Sequence, residues 1–190
     1  SAWSYLSGGF FGGTPTVSYH VAKNAAKMAG ATRTETTKSK SGLILGGDID
    51  AVSAFNEETE TLYLMAYNFK NDLDYKTSTD LSFEINAPQF EGKKVKITTY
   101  TIDDDCNYFD EWVEDRKTYN IGDDCFDWSP DDPEIDSTIT LKDERAREIY
   151  FNELYEKYTE CSKLVPIEET VKVEDGKMVF ELTAGEYVIK

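Results

Sequence analysis

The chain is poor in the side chains on which most catalytic and metal sites depend. Its 190 residues include three cysteines, Cys106, Cys125 and Cys161, and one histidine, His20. No two cysteines have the C-x-x-C spacing that is typical of a structural zinc site. An odd number of cysteines in a chain of this length is not a disulfide framework either, although Cys106 and Cys125 could pair in a secreted protein.

Positive charge and long hydrophobic runs are also scarce. Twenty Lys and Arg residues stand against 37 Asp and Glu residues, so the formal net charge is −17. This balance argues against nucleic acid or an anionic membrane as a partner. No apolar run approaches the roughly 20 residues that a membrane-spanning helix needs, and no signal peptide is visible. The acidity would not oppose an uncharged ligand such as a sugar, but it also simply keeps a protein soluble.

Aromatic residues are abundant, with 12 Tyr and 10 Phe, and this favours β-structure. From residue 43 the apolar residues alternate with polar ones, which predicts a hairpin with its turn at residues 56–59. One face of this hairpin would carry Ile49, Ala51, Ser53, Phe55, Leu62, Leu64, Ala66 and Asn68. Further strands are predicted at 80–86 and 93–102, and three short ones at the C-terminal end around turns at Asp175-Gly176 and Ala184-Gly185.

Helical spacing occurs in two other places. Before residue 30, the residues at i, i+3, i+4, i+7, i+8 and i+11 form one face, made of Val17, His20, Val21, Asn24, Ala25 and Met28. Residues 31–42 are polar and without period, which predicts an exposed connector or an edge strand. An insertion at 103–166 contains a short helix around Tyr108 and Trp112 and a longer one that ends before Pro166. The buried face of the longer helix would be Ala146, Ile149, Tyr150, Leu154, Tyr158 and Cys161.

The predicted fold is therefore mainly β, with two blocks of strands on either side of a helical insertion. Each block alone is too short to close a two-layer core. We expect them to complete one antiparallel β-sandwich that carries an N-terminal helix and a two-helix insertion.

Several strings of the sequence resemble, in the same order, the C-terminal part of glycoside hydrolase family 39, the β-xylosidase and α-iduronidase family. At the N-terminal end these are "AWSYLS", "GGFFGG" and "PTVSYHVAKNAAKMAG". Downstream they are "LYLMAYNFKN", "YTIDDDCNYFDEWVE" and "KVEDGKMVFELTAGEYVIK". The resemblance implies that residues 1–30 correspond to the last strand and helix of a (β/α)8 barrel, and that residues 31–190 are the accessory β-sandwich with the acidic helical insertion 103–166.

The resemblance also implies that the isolated chain is not an enzyme. In that family the two catalytic carboxylates come from the fourth and seventh barrel strands, upstream of any segment matched here. Asn56-Glu57 is followed by Glu58 rather than proline, and its place in a predicted hairpin turn favours turn chemistry. His20 lies beside the apolar face of a helix, where a core or interface histidine is the simpler interpretation.

Carbohydrate binding is the alternative use of the insertion, because exposed aromatic rings stack on the C–H faces of sugars. The candidate residues are Trp128, Trp112, Tyr108, Tyr119 and Phe126, together with Trp3, which the resemblance would place at the sugar subsite of a parent barrel. The opposing interpretation is that these rings anchor an irregular segment on the fold. Tyr108 and Trp112 stand at helical spacing, which favours that second interpretation for them.

The same insertion is rich in aspartates, and calcium takes six to eight oxygen ligands. Candidate ligands are Asp103, Asp105, Asp123 and Asp124, although no EF-hand spacing is present. A solvated acidic loop is the other interpretation, and no cofactor is required by the sequence.

The sequence leaves three candidate functions for this chain. The first is a non-catalytic accessory β-sandwich of a secreted glycoside hydrolase that acts on plant-wall polysaccharide, with that polysaccharide or the catalytic barrel as its partner. The second is an independent carbohydrate-binding module for β-glucan or xylan. The third is a structural or protein-interaction domain.

Overall fold

The computed structural model of the chain describes residues 14–38, 47–70, 78–127 and 140–184. These residues fall into two compact units. The helical unit comprises residues 14–24, 103–127 and 140–164, and the strand unit comprises residues 25–38, 47–70, 78–102 and 165–184. The strands pair antiparallel in every sheet that the structure describes, so the protein is mainly β with added helices.

One sheet of the strand unit contains β1 (Thr32–Arg33), β2 (Gly47–Asn56) and β3 (Thr61–Lys70), in that order. Its register places Ala51 opposite Ala66 and Phe55 opposite Leu62, so the predicted hairpin and its faces are confirmed. In the turn, the side-chain oxygen of Asn56 accepts a hydrogen bond from the Thr59 N–H at 3.1 Å. The turn chemistry predicted for Asn56 is therefore present, because an Asn side chain can replace a backbone acceptor.

The remaining long strands of the strand unit form two ladders. The first pairs β4 (Thr79–Asn86) with β9 (Lys177–Ala184), and the second pairs β5 (Lys94–Thr99) with β8 (Ile167–Lys172). Because β4 leads into β5 and β8 leads into β9, the two ladders are consecutive parts of one ribbon. Seven residues, 87–93, connect the strands on one side of the interruption, and four residues, 173–176, connect them on the other. Such unequal lengths bend a ribbon.

Backbone hydrogen bonds join the two connections of this ribbon. The Ala87 N–H donates to the Gly176 carbonyl at 2.8 Å, and the Gly92 N–H donates to the Val173 carbonyl at 3.0 Å. The sequence predicted a hairpin at Asp175-Gly176, and the turn is there with positive φ at both residues. The pairing prediction was wrong, however, since beyond the isolated Glu174–Lys177 bridge at the turn β8 and β9 pair with different partners.

An apolar core lies at the interruption of the ribbon. Ala87, Val173 and Met178 are buried there, and apolar side chains from both ladders pack against them. These side chains are Ile85, Phe90, Val95, Ile97, Val171 and Phe180. The strict alternation along β4 and β9 leaves charged neighbours outside, where Lys177 pairs with Glu84 at 2.8 Å.

The helical unit contains the predicted helices. The N-terminal helix is α1 (Val17–Ala26), of which residues 17–24 belong to this unit, and the short helix of the insertion is α2 (Phe109–Thr118). The longer one consists of α3 (Glu144–Ile149), a π-helical segment (Tyr150–Leu154) and α4 (Tyr155–Cys161). The side chain of Asp143 caps α3 by accepting from the Ala146 N–H at 2.7 Å. The two-residue strands β6 (Phe126–Asp127) and β7 (Thr140–Leu141) pair beside them.

A stripe with a period of four residues explains the π-helical segment. Ala146, Tyr150, Leu154, Tyr158 and Ser162 are each at most 1% exposed. In a regular α-helix a four-residue repeat drifts by about 40° at each step, so this stripe would wind away from the core. The wider π turn, in which the Tyr155 N–H bonds the Tyr150 carbonyl, compensates for that drift.

Helix α1 contributes to the helical unit through His20. This side chain is 5% exposed, and its Nε2 atom lies 2.7 Å from the Ser162 carbonyl, to which it donates. Val17 and Val21 are half-buried. The predicted helix is formed, and the predicted role of His20 as a core or interface histidine agrees with its contact at the end of α4.

Candidate functional site

The helical unit is organised around an aromatic cluster. The ring of Tyr158 stacks on Tyr108 with centroids 5.4 Å apart, and Trp112 meets Tyr158 edge to face at 6.3 Å. Tyr150 adjoins Tyr158 at 6.2 Å. Such edge and offset contacts are the favoured geometries for aromatic pairs and add to the free energy gained by burial.

Two of the sequence candidates for sugar stacking, Trp112 and Tyr108, are part of this core. Trp112 is 7% exposed and Tyr108 is 9% exposed, so neither ring presents a face to a ligand in this structure. Their helical spacing is the reason, because it places both on the side of α2 that meets the longer helix. The interpretation of these two rings as anchors is the one that the structure shows.

Of the other four aromatic candidates, two are half-buried and two lie outside the described residues. Tyr119 and Phe126 are half-buried and pack against the same cluster, and the Phe126 ring meets Trp112 edge to face at 6.0 Å. Trp128 and Trp3 lie outside the described residues. The structure therefore brings Tyr108, Trp112, Tyr119 and Phe126 together as a core rather than as a platform.

A buried carboxylate links α2 to α4. The side chain of Asp115 accepts hydrogen bonds from the Lys157 ammonium at 2.7 Å and from the Tyr158 hydroxyl at 3.0 Å. Burial, followed by the hydrogen bond to Asp115 and its negative charge, raises the pKa of Tyr158 well above its ordinary value. Burial also raises the pKa of Tyr150 to about 12, partly offset by a hydrogen bond with Thr14. Both hydroxyls remain protonated at neutral pH, and that of Tyr158 donates to Asp115.

Two arginines organise the end of α2. Arg145 donates to the carbonyls of Tyr119 and Asn120, each at 2.9 Å, which satisfies free carbonyls at a helix C-terminus. Arg116 donates to the Ile121 carbonyl at 3.0 Å and pairs with Asp123. A shallow cleft of about 310 Å³ lies here, lined by Val113, Arg116, Lys117, Asn120, Ile121 and Gly122. Its two cations are already engaged, since Lys117 pairs with Glu114.

The predicted calcium ligands lie beside two 3-10 turns, Asp104–Cys106 and Asp123–Cys125. Asp103 uses its carboxylate to accept from the Asp105 N–H at 3.1 Å, and Asp123 pairs with Arg116. Asp105 and Asp124 are exposed. Within the described ranges, no group of three or more His, Cys, Asp or Glu side chains is placed to hold a metal ion.

All three cysteines are free thiols in the structure. Cys106 is buried with its Sγ donating to the Asp103 carbonyl at 3.3 Å, and Cys125 is buried in the aromatic cluster. The pairing of Cys106 with Cys125 that the sequence allowed is therefore not formed. Burial raises the pKa of Cys106 and, together with the nearby charge of Glu111, that of Cys161, so neither thiol is activated as a nucleophile.

The exposed rings of the helical unit are ones that the sequence analysis did not select. Phe109 is 58% exposed, Phe151 is 60% exposed and Tyr155 is 39% exposed. They are the only aromatic side chains that the described part of the chain leaves exposed. A signal for two of them was present, because Phe151 and Tyr155 fall outside the predicted buried face of the longer helix.

No protein-family model matches the chain, and no curated protein is significantly similar to it. Among the helices that the structure describes, none combines the length and the apolar character needed to cross a bilayer.

Proposed function

We propose that this chain is a non-catalytic accessory domain of a secreted glycoside hydrolase that acts on plant-wall polysaccharide, and that it contacts the polysaccharide itself. The glycoside hydrolase part of the proposal rests on the resemblance of the six sequence strings. The proposed architecture is the antiparallel β-sandwich with a helical insertion. The interrupted ribbon supports it, since strands that bend and continue in a second ladder are the means by which sandwiches turn their corners.

The observation that carries the polysaccharide contact is the position of the exposed rings. Phe151 and Tyr155 lie next to each other on the longer helix of the helical unit, and the aromatic side chains described in the strand unit are buried or half-buried. An exposed aromatic ring costs free energy in water and gains it when a sugar face covers the ring. The formal charge of −17 leaves uncharged polymers as the favoured ligands.

The test combines affinity electrophoresis with a hydrolysis assay. We expect the chain to be retarded in native gels that contain xylan, xyloglucan or β-glucan, and to release no reducing sugar from any of them. Release of reducing sugar would refute the non-catalytic assignment. Absence of retardation with every polymer would leave the third function, a structural or interaction domain, for which the exposed Val165, Ile167 and Val179 would be the starting point.

An independent carbohydrate-binding module is the second candidate. The aromatic cluster of the helical unit favours it, because that cluster is formed by the unit's own residues, 108–161. A module predicts full affinity in the chain alone, whereas an accessory domain predicts affinity that rises when the chain is joined to a catalytic barrel. Comparing the dissociation constants of the two forms separates these candidates.

A further inference from the structure

The rings of Phe151 and Tyr155 form an exposed pair on the longer helix of the insertion. Their centroids are 6.5 Å apart and their planes are inclined by 44°. Phe151 is 60% exposed and Tyr155 is 39% exposed, so part of each side chain is accessible to a ligand. Two neighbouring rings of this kind can contact two consecutive units of a polymer.

A buried side chain holds the pair in place. Tyr150 is 0% exposed, and its ring makes edge contacts with Phe151 at 5.0 Å and with Tyr155 at 6.0 Å. The π turn begins at Tyr150 and ends just before Tyr155, so the two exposed rings stand at the ends of its wider turn. Because the rings rest on the core, a ligand would lose little conformational entropy in ordering them.

Three polar residues lie close to the two rings along the helix. Arg147, Glu148 and Asn152 lie within one helical turn of Phe151 or Tyr155, and all three are exposed. In the part of the chain that the structure describes, none of these three side chains has a hydrogen-bond or ion-pair partner. Together they offer N–H donors and oxygen acceptors, which are the groups that hydroxyls bind.

From this arrangement we infer that Phe151 and Tyr155 form the stacking site for a single chain of an uncharged, pyranose-based polysaccharide. The inference rests on the proposed function and assigns its binding site. A sugar unit would stack on each ring, and Arg147, Glu148 and Asn152 would bind the hydroxyls between and beside the units. The inclination of 44° excludes a flat crystalline surface, which would need coplanar rings, and selects a chain that twists along its length. The net charge of −17 selects uncharged over anionic polymers.

The experiment measures affinity for soluble xylan, xyloglucan, mixed-linkage β-glucan and polygalacturonate in the full chain and four variants. We expect Phe151→Ala/Tyr155→Ala to weaken binding of the preferred uncharged polymer at least about tenfold, or about 1.4 kcal/mol. Tyr155→Phe keeps the ring and should bind like the wild type. Phe109→Ala is the matched control, because it removes a ring of equal type and of nearly equal exposure, 58% against 60%. We expect polygalacturonate to bind none of them.

The possible results distinguish an error in the assigned binding site from an error in the proposed function. Binding by the wild type that the double variant retains, or that Trp128→Ala abolishes instead, would overturn the site and leave the proposed function in place. An equal loss in Phe109→Ala would also overturn the site, and so would preferred binding of polygalacturonate. Failure of the wild type to bind any polymer would overturn both.

Light scattering provides a further check, since a wild-type dimer that becomes monomeric in the double variant would show that the rings contact a second copy of the chain. A cooperative thermal unfolding transition in each variant confirms that it is folded.

Discussion

At the scale of single residues, position 176 requires glycine for two reasons, the backbone conformation and the lack of space for a side chain. Its φ angle is +71°, which side-chain-bearing residues rarely adopt. A Cβ added to it would also lie 3.3 Å from Cβ of Pro88, in the neighbouring connection of the ribbon. Gly92 has a similar φ of +73°, but a Cβ there would meet nothing within 4 Å.

These two glycines allow the backbone cost to be separated from the steric cost. We expect Gly92→Ala to lower the free energy of unfolding by about 1 kcal/mol, which is the usual cost of a left-handed conformation. Gly176→Ala should lower it by about 2 kcal/mol or more, because Pro88 must also move. Urea unfolding of both variants measures the difference. Equal losses would show that the contact with Pro88 contributes nothing.

Tyr150 makes stability depend on pH in the alkaline range. Its pKa of about 12 in the folded protein lies above the ordinary value of 10. Between these two values the folded state binds more protons than the unfolded state, so the free energy of unfolding falls as pH rises. The contribution is fully present below pH 10 and is lost progressively as the pH rises toward 12. Urea unfolding at pH 9, 10 and 11 measures this decline.

The control for the alkaline decline is Tyr150→Phe, which has no ionisable hydroxyl. The variant starts from a lower stability because it loses the hydrogen bond with Thr14. Its free energy of unfolding should nevertheless decline less steeply above pH 10 than that of the wild type. A decline of equal steepness would show that Tyr150 is not responsible, and Tyr158, whose pKa is also raised, would then be the group to replace.

At the scale of elements, local patterns predicted what is formed locally. Alternation gave the β2–β3 hairpin with its faces, and helical spacing gave α1, α2 and the longer helix of the insertion. The pairing of β4 with β9 and of β5 with β8 was beyond this approach. The strong Asp175-Gly176 turn signal favours pairing between neighbours, whereas a core made of Ala87, Val173 and Met178 favours partners about 90 residues apart. The structure shows that the distant strands pair and that the neighbouring strands β8 and β9 do not form a hairpin.

The π turn leads to a prediction about deletions in the longer helix. A π turn contains one residue more than an α turn, so deleting the exposed Asn152 should restore an α turn and leave both flanks in register. Deleting the exposed Glu156 removes a residue from regular α-helix and rotates everything after it by about 100°. We expect the first deletion to cost about 1 kcal/mol. We expect the second to cost about 3 kcal/mol or more, because Tyr158 and Ser162 leave the core.

Thermal unfolding followed by circular dichroism compares the two deletions. The matched feature is that both remove one exposed polar residue from the same helix. Equal destabilisation by the two deletions would contradict the interpretation that the π turn accommodates a single extra residue.

At the scale of the whole molecule, the net charge of −17 acts against folding through self-repulsion. Raising the NaCl concentration from 10 to 300 mM screens this repulsion. We expect a gain of about 1 kcal/mol, or about 2–4 °C in the unfolding temperature for a chain of this size. The control is the same titration near pH 4.4, the isoelectric point, where the salt effect should vanish. An unfolding temperature that falls with salt at pH 7 would contradict the expectation.

The sequence analysis did not predict which aromatic rings of the insertion are exposed. The sequence identified the insertion as aromatic and acidic, and the helical spacing of Trp112 and Tyr108 favoured the burial that the structure shows, but the exposed rings were not among its candidates. Exposure depends on which side of a helix meets the core, and that is decided by the stripe of Ala146, Tyr150, Leu154 and Tyr158. Residues off that stripe, Phe151 and Tyr155, are the exposed ones. The same four-residue stripe, used to identify the helix residues that do not belong to it, would have predicted that these two rings are exposed.

The register of β5 and β8 has one more consequence. Thr99 lies opposite Ile167, so the two strands end side by side where the insertion leaves the strand unit and where it returns. Neighbouring antiparallel ends of this kind are ordinarily closed by a loop of about two to five residues. In chain order, the 103–164 segment therefore replaces a hairpin loop, and its exchange for a different loop would not require β5 and β8 to change register. Changes of sequence or length in the insertion can therefore leave the pairing of β5 with β8 as it is.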